Sequence, residues 1–535
     1  MGRSQAHGTH ESGHNGCCAN ERLQDRCNGL ETGRLNMKLG MKPDGTGRGM
    51  QMPAMPPRAD VQSGIPGSGP GPSTRANSRR VESSELMRLI IIGAVAAGMS
   101  AASQARRRSP DSEIIVLEKT QDVSYGACGL PYKLPPYECM EDLQVMSAER
   151  FRAERNLDLR LGHEVTRIDP AARKVFGTNA EGAFALGYDK LILCTGARVW
   201  APPIPRLAEF WGHGAYALKT LEDGRVIKAA MGAKPPKRVV VIGAGYIGLE
   251  ATENFAEMGA KVTVVEALPQ ILPWLPESQR ERLVQGEAAA HGVEMLVGTR
   301  VEALKRAGEA IRIETSGRTL EADLVLVATG VRPEAELAAA AGLKRGAAGA
   351  IAVNDYLQTS DEHIYAAGDC ADARHALTGQ SVWFPLALRA NRSGKLAGDN
   401  VMGLERPAPP VLGTAVFKFF GLEVARVGLS QQEADDAGLS TASAEIVSST
   451  RAGYYGGGGK LSVWLLAERT TRKLLGCCMV GPEAAAHKID TAAAAIHAGM
   501  TVEQVYDMDL AYAPPFGPSW SPLLIAASRL GKVLG

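Results

Sequence analysis

From Arg88 onward, short aliphatic runs alternate with amphipathic stretches of helical period; before that point the chain shows neither pattern. Leu89-Ile90-Ile91-Ile92, Ile114-Ile115-Val116-Leu117 and Val239-Val240-Val241-Ile242 carry no polar alternation. That is the pattern of strands buried on both faces of a parallel sheet. Helical stretches such as Met99 to Arg107 separate them, so the expected fold class is α/β. Two βαβ units open in succession, at Leu89 and, after Lys-Pro-Pro-Lys at 234–237, at Val239. After Val331 the chain returns to motifs that complete the first unit, and Arg406-Pro407-Ala408-Pro409-Pro410 punctuates the entry to a third region. The expected domains are therefore a discontinuous first one over 88–206 and 326–404, an inserted second one over 207–325, and a third over 405–535.

Residues 1–86 are rich in Gly, Pro, Ser, Arg and Met and include Pro66-Gly67-Ser68-Gly69-Pro70-Gly71-Pro72. Such a segment has too little apolar surface to offset its ordering entropy, and a disordered tail is expected. Its His7, His10, His14, Cys17, Cys18 and Cys27 fit no closed tetrahedral spacing, so no metal site is expected. The net charge is +1, from 59 Lys+Arg against 58 Asp+Glu, which excludes a global field for nucleic acid or an anionic membrane. A small anionic ligand would need a local basic site. Nine scattered cysteines, an odd number, argue for thiols in a reducing cytoplasm. No apolar run approaches the about 20 residues of a membrane-spanning helix.

Chemistry enters with the glycine turns. Gly243-Ala244-Gly245-Tyr246-Ile247-Gly248 follows a strand and opens a helix, and Glu266 ends the next strand. In such a turn the first glycine permits the bend, the second lets a pyrophosphate approach and the third lets helix pack on strand, while the acid accepts from ribose hydroxyls. Ala267-Leu268-Pro269 supplies no Arg for a 2′-phosphate, so NADH is expected ahead of NADPH. The first unit, Gly93-Ala94-Val95-Ala96-Ala97-Gly98, has Val95 at the middle position, with Glu118 as the acid. Two further turns, Thr195-Gly196 and Gly368-Asp369, agree with an FAD site in which Asp369 meets the ribityl hydroxyls.

The remaining motif is Ser124-Tyr125-Gly126-Ala127-Cys128-Gly129-Leu130-Pro131-Tyr132. A thiol here can lie beside a bound flavin. The position five residues on is Lys133, and the next cysteine is Cys139, so Cys128 works without a disulfide partner in its own turn. That restricts its chemistry to mixed disulfides, persulfides, or peroxide and oxygen reduction. The turn after Cys128 is expected to begin a helix whose N-terminal field, together with a nearby oxidised flavin, favours the thiolate. The alternative is a small buried hydrophobe.

The order of these motifs, with Ala328-Thr329-Gly330-Val331-Arg332-Pro333 between them, resembles the pyridine nucleotide-disulfide oxidoreductases. Over about residues 88–535 it is most similar to their single-cysteine group: coenzyme A-disulfide reductases, NADH oxidases, NADH peroxidases and persulfide reductases. The resemblance implies Rossmann-like FAD and NADH domains and a C-terminal α+β dimerisation domain, hence a homodimer. It adds Ala94, Ala97, Lys119, Val165, Gly330 and Ala387 to the cofactor contacts, and it implies substrate contacts at Gln104, Arg107, Ser124 and Arg155. Tyr455 and Tyr512 match segments that carry active-site tyrosines, donated by the partner subunit. Ala96 stands where the peroxidases and oxidases place a histidine, and Ala127 where some coenzyme A-disulfide reductases place an asparagine. The implied activity is FAD-dependent NAD(P)H reduction of coenzyme A disulfide through a Cys128 mixed disulfide. The alternatives are a persulfide or polysulfide reductase, an NADH oxidase and, from another class, an electron-transfer reductase for a ferredoxin partner.

Overall fold

The computed structural model describes residues 87–232 and 235–535. The expected disordered tail, 1–86, lies outside the described residues. Four helices bear on the site: α1 (Ala96–Arg108), α2 (Leu221–Met231), α3 (Tyr246–Glu257) and α4 (Ala387–Asn400).

Strand Arg88–Ile92 is the centre of a five-stranded parallel sheet. Glu113–Glu118 and then Asp158–Leu161 lie on one side, Lys190–Leu193 and then Ile364–Ala366 on the other. Its aliphatic run is buried throughout because Leu89 and Ile91 face one cluster while Ile90 and Ile92 face another. On the first face α1 lies hard against α4. A Cβ on Gly394 would strike the carbonyl oxygen of Ala97, and one on Gly398 that of Ala101, so small residues set this helix spacing.

The second parallel sheet is centred on Arg238–Ile242, between Lys261–Val265 and Leu324–Val327. The expected junction at 325/326 is corrected by that pairing: Leu324–Val327 is a strand of the second sheet, and the chain returns only after it. The outward and return crossings run side by side, Ala197–Val199 antiparallel to Val331–Pro333.

The C-terminal sheet is antiparallel, in the order Ala415–Phe419, Leu422–Gly428, Leu474–Gly481, Lys460–Glu468, Thr441–Ser449. Val463 and Leu465 pack under helices Ala485–His497 and Pro522–Leu534, while Trp464 and Leu466 join the core of the second nucleotide unit. Covering both faces explains a strand buried along most of its length. Buried Glu253 of α3 anchors the contact, accepting from Lys418 and, at 2.8 Å, from the Phe420 N–H. Among the described residues no helix is long and apolar enough to cross a membrane.

Candidate active site

The two glycine turns are built alike. Gly93 and Gly243 sit at φ 103° and 105°. A Cβ on Gly93 would meet the Cys194 carbonyl, and one on Gly98 or Gly248 would meet the carbonyl of Gly93 or Gly243. These four glycines are demanded by the fold. Gly245 is not: at φ −81° nothing lies within 4 Å of its Cβ position. The space in front of it suits a ligand, and the first turns of α1 and α3 have no side-chain cap. Helix N-termini with open N–H groups and room before them fit the pyrophosphates of dinucleotides. Val95, the first turn's middle residue, keeps an ordinary φ of −98°.

The acids have a second task. Ala94 N–H donates to Glu118 at 2.8 Å and Ala244 N–H to Glu266 at 2.9 Å, so each acid ties its own glycine turn to the neighbouring strand. Glu118 also accepts the N–H and hydroxyl of Thr120, and Glu266 the N–H of Leu268. Lys119 is exposed beside Glu118. Val165 lies half-buried in the bulged strand Glu164–Asp169, which is drawn to Glu118 by the His163 N–H at 2.9 Å. Thr195 and Gly196 end strand Lys190–Leu193, and Gly196 and Gly330 have open space where a side chain would stand. The side chain of Tyr246 packs on Trp274 and Phe417, which leaves its backbone and that of Ile247 for a ligand. Arg389 of α4 donates to the carbonyls of Gly368, Ala371 and Asp372, fastening the turn with Asp369 to the helix that Ala387 begins.

Cys128 lies in a loop closed at its neck. Ser124 N–H donates to Ala94 O, Val145 N–H to Ser124 O and Gly126 N–H to Leu143 O, at 2.7–2.9 Å. Ser124 takes a left-handed φ of 46°, a strained conformation for a non-glycine that the neck bonds hold. Inside, Ala127–Gly129 and Pro131–Lys133 form separate 3-10 turns. This corrects the helix expected after Cys128: Pro131, Pro135 and Pro136 remove the N–H donors it would need, and three-residue turns build no helix field.

The helix's share in favouring the thiolate is lost with it. The Cys128 thiol is accessible, yet partial loss of solvent raises its pKa, Glu250 adds to the rise, Lys219 opposes it and Asp369 reinforces it. Glu250, on α3, accepts from the Tyr132 hydroxyl at 2.9 Å, and burial pushes its own pKa up to about 7. Lys219 stands 3.6 Å from the Asp369 carboxylate. Cys139 donates its thiol proton to Glu141 at 2.9 Å, which raises its pKa and makes it a poor second nucleophile.

A cavity of about 400 Å³ opens at the neck of this loop. Ser124, Val145 and Met146 of the neck line it, with Ala96, Met99 and Phe151, and Arg107, Arg155, Arg392 and Lys395 give it four basic side chains. Three of the expected substrate residues, Arg107, Ser124 and Arg155, thus line the same cavity. Gln104 does not join them. It is buried, donates to Asp399 at 2.6 Å and accepts from Arg107 at 2.5 Å, so its polar ends are engaged inside the protein and it orients Arg107.

In the C-terminal region the Tyr512 hydroxyl bonds that of Tyr454, not that of Tyr455. The shared proton raises the pKa of Tyr454 and lowers that of Tyr512. All three rings are exposed, as are Phe516 and Trp520. Lys219, Glu250, Tyr454, Arg392 and Lys395 were not found by reading the sequence. Arg392 and Lys395 had a signal, a shared helix face with Asn391, but nothing local pointed to the other three.

Residues 87–394 match the family model described as pyridine nucleotide-disulphide oxidoreductase, and residues 414–522 that of its dimerisation domain. The chain is similar to the NAD(P)H coenzyme A polysulfide/persulfide reductase of Pyrococcus horikoshii, 36% identical over 447 residues, 83% of this chain and 98% of that protein. It is 29% identical to the coenzyme A disulfide reductase of Staphylococcus aureus over 435 residues, 80% of this chain and 96% of that one. Among solved structures, a NAD-dependent persulfide reductase from A. fulgidus matches with a TM-score of 0.80 at 35% identity, covering 84% of this chain and 83% of its own.

Proposed function

The chain belongs to the pyridine nucleotide-disulphide oxidoreductase family, and from that premise we propose that it reduces coenzyme A disulfide with NADH, through Cys128. The observation that carries the reading is the basic cavity at the neck of the Cys128 loop. Coenzyme A is a thiol with a phosphorylated nucleotide at its far end. Arg107, Arg155, Arg392 and Lys395 supply charge for the phosphates, and charge-assisted bonds of this kind are the strong ones. The neck residue Ser124, four positions before Cys128, connects that anionic end to the reactive sulfur.

In the sulfur step the Cys128 thiolate attacks one sulfur of the disulfide. A Cys128–coenzyme A mixed disulfide forms and the other half leaves as thiolate. The glycine-turn unit closed by Glu118 would hold FAD and the one closed by Glu266 would hold NAD(P)H, and the flavin would supply the two electrons needed to cleave the mixed disulfide. One proton completes the released thiol, and Cys128 returns to thiolate. Lys219 is the cation that stabilises the thiolate. Tyr454 and Tyr512, a bonded hydroxyl pair, are the donors to the leaving sulfur, supplied by the second subunit of a homodimer.

A second reading, reduction of coenzyme A persulfide, is supported by the higher identity to the Pyrococcus protein. NADH oxidation by purified enzyme separates the readings when coenzyme A disulfide, coenzyme A persulfide, cystine and oxygen alone are compared. Coenzyme A disulfide should exceed cystine by roughly 10- to 100-fold in kcat/KM, the scale of one or two charge-assisted phosphate contacts. Equal rates on cystine would remove the cavity from the mechanism, and rapid oxygen consumption would favour an oxidase. Cys128→Ser should keep FAD and its reduction by NADH while losing sulfur reduction by roughly 10³-fold or more, as expected for a lost nucleophile. Retained turnover in that variant would sink the assignment.

A further inference from the structure

The loop from Ser124 to Val145 is short of donors for its own carbonyls. Pro131, Pro135 and Pro136 carry no N–H, and the regular pieces within the loop are 3-10 turns of three or four residues. Carbonyl groups in such a segment need partners from elsewhere. Helix α2 provides them. Lys228 Nζ donates to the carbonyls of Pro135 at 2.6 Å, Glu138 at 2.9 Å and Lys133 at 3.2 Å, with that of Leu134 at 3.5 Å able only to share one of its three N–H groups.

One turn earlier, Arg225 grips both flanks of the loop. Its guanidinium pairs with both oxygens of Asp122 at 2.8 and 2.9 Å, before the neck, and with Glu141 at 3.0 Å, on the far side of Cys128. Next to Arg225 on the helix, Gly224 lies against Met140, and a Cβ there would come within 2.6 Å of the Met140 sulfur. The start of α2 is itself fixed by a capping box between Thr220 and Asp223. Lys219, immediately before that cap, reaches toward Asp369.

We propose that α2 is a brace for the redox loop, with Lys228 and Arg225 as positioning residues that act through the backbone on Cys128. The proposal rests on the reading of Cys128 as the redox thiol. The brace makes the loop rigid where its sequence forbids regular structure, and it couples the placement of Cys128 to the cation at Lys219. The basic cavity lies on α1, α4 and the loop neck, so loosening the brace acts on chemistry rather than on substrate capture.

The test compares Lys228→Met and Lys228→Arg with the wild-type holoenzyme. Lys228→Met should keep its FAD and its flavin reduction by NADH. Hydrogen exchange at the amides of 137–143 should quicken roughly 10- to 100-fold, the scale of one lost set of charge-assisted bonds. The kcat for disulfide should fall roughly 10- to 100-fold from misplacement of the sulfur, with KM unchanged, and Lys228→Arg should recover part of it. The pH profile of Cys128 alkylation by iodoacetamide, read by mass spectrometry, should shift as well. A folded Lys228→Met protein with unchanged exchange and an unchanged alkylation profile overturns the proposal. Should that variant fail to fold, Arg225→Gln takes its place, and the wild type is decisive in any case: amides of 137–143 exchanging at unstructured-chain rates overturn the brace. A Cys128→Ser enzyme that still reduces disulfides refutes the redox reading alone, because exchange judges the brace independently of turnover.

Discussion

Cys128 answers to two carboxylates and one ammonium drawn from three separate parts of the chain: Glu250, Asp369 and Lys219. Glu250 is the most informative, because its pKa of about 7 puts its charge change in the working range. As pH rises through that value Glu250 becomes negative and opposes ionisation of the thiol, so the carboxylate holds Cys128 protonated longer. Glu250→Gln removes the charge and keeps an acceptor for Tyr132. In the cofactor-free protein at mildly alkaline pH, Cys128 alkylation should therefore speed up roughly 3- to 10-fold, the effect of losing one nearby charge at partial exposure. A slower or unchanged rate would show that Glu250 does not act on the sulfur. The same scale holds the clearest revision of the sequence reading: Gln104 has the chemistry of a ligand contact, but its burial beneath Arg107 makes it a support.

At the scale of elements, each nucleotide unit is a strand, a glycine turn, a helix and an acid that bonds back to the turn. In the second unit Glu266 is held by the amides of Ala244 and Leu268, and the proposed preference for NADH takes this fixed carboxylate as the partner of the ribose. A 2′-phosphate there meets repulsion of about 1–3 kcal/mol, corresponding to roughly 5- to 150-fold discrimination. NADH should exceed NADPH by that factor in kcat/KM with saturating disulfide. Ala267→Arg should narrow the gap by giving the phosphate a partner. Equal use of both nucleotides by the wild type would refute this role for Glu266. The turn was legible because its glycines and acid lie within about one βαβ unit of one another. The loop of Cys128 was not, since its prolines block the helix that the pattern suggested.

At the scale of the whole molecule, Tyr454, Tyr512, Phe516 and Trp520 are exposed on the C-terminal region, inside the match to a dimerisation domain or, for Trp520, near its end. Among the described residues no hydrogen bond joins these tyrosines to the Cys128 loop of the same chain. If the sites are shared across a homodimer, mixing Cys128→Ser with Tyr512→Phe subunits leaves half of the heterodimer's sites intact and places both lesions in the other half. Activity should then rise above either parent, given that a positioned proton donor contributes roughly 10²–10⁴-fold. No recovery after verified subunit exchange would mean that Tyr512 acts within its own chain or not at all.

The α/β class, the two nucleotide units and the order in which one interrupts the other follow from the sequence by itself. Their signals are local: unbroken aliphatic runs, glycine spacings and an acid at the end of the next strand. The surroundings of the reactive sulfur are another matter. Arg107 and Lys395 meet at one cavity because α1 packs on α4, Glu250 comes to Cys128 from a helix of the other sheet, and α2 holds a loop that precedes it by some ninety residues. Contacts between residues so far apart depend on which faces the sheets bury against each other, and no periodicity along the chain encodes that choice; only the packed tertiary structure decides it.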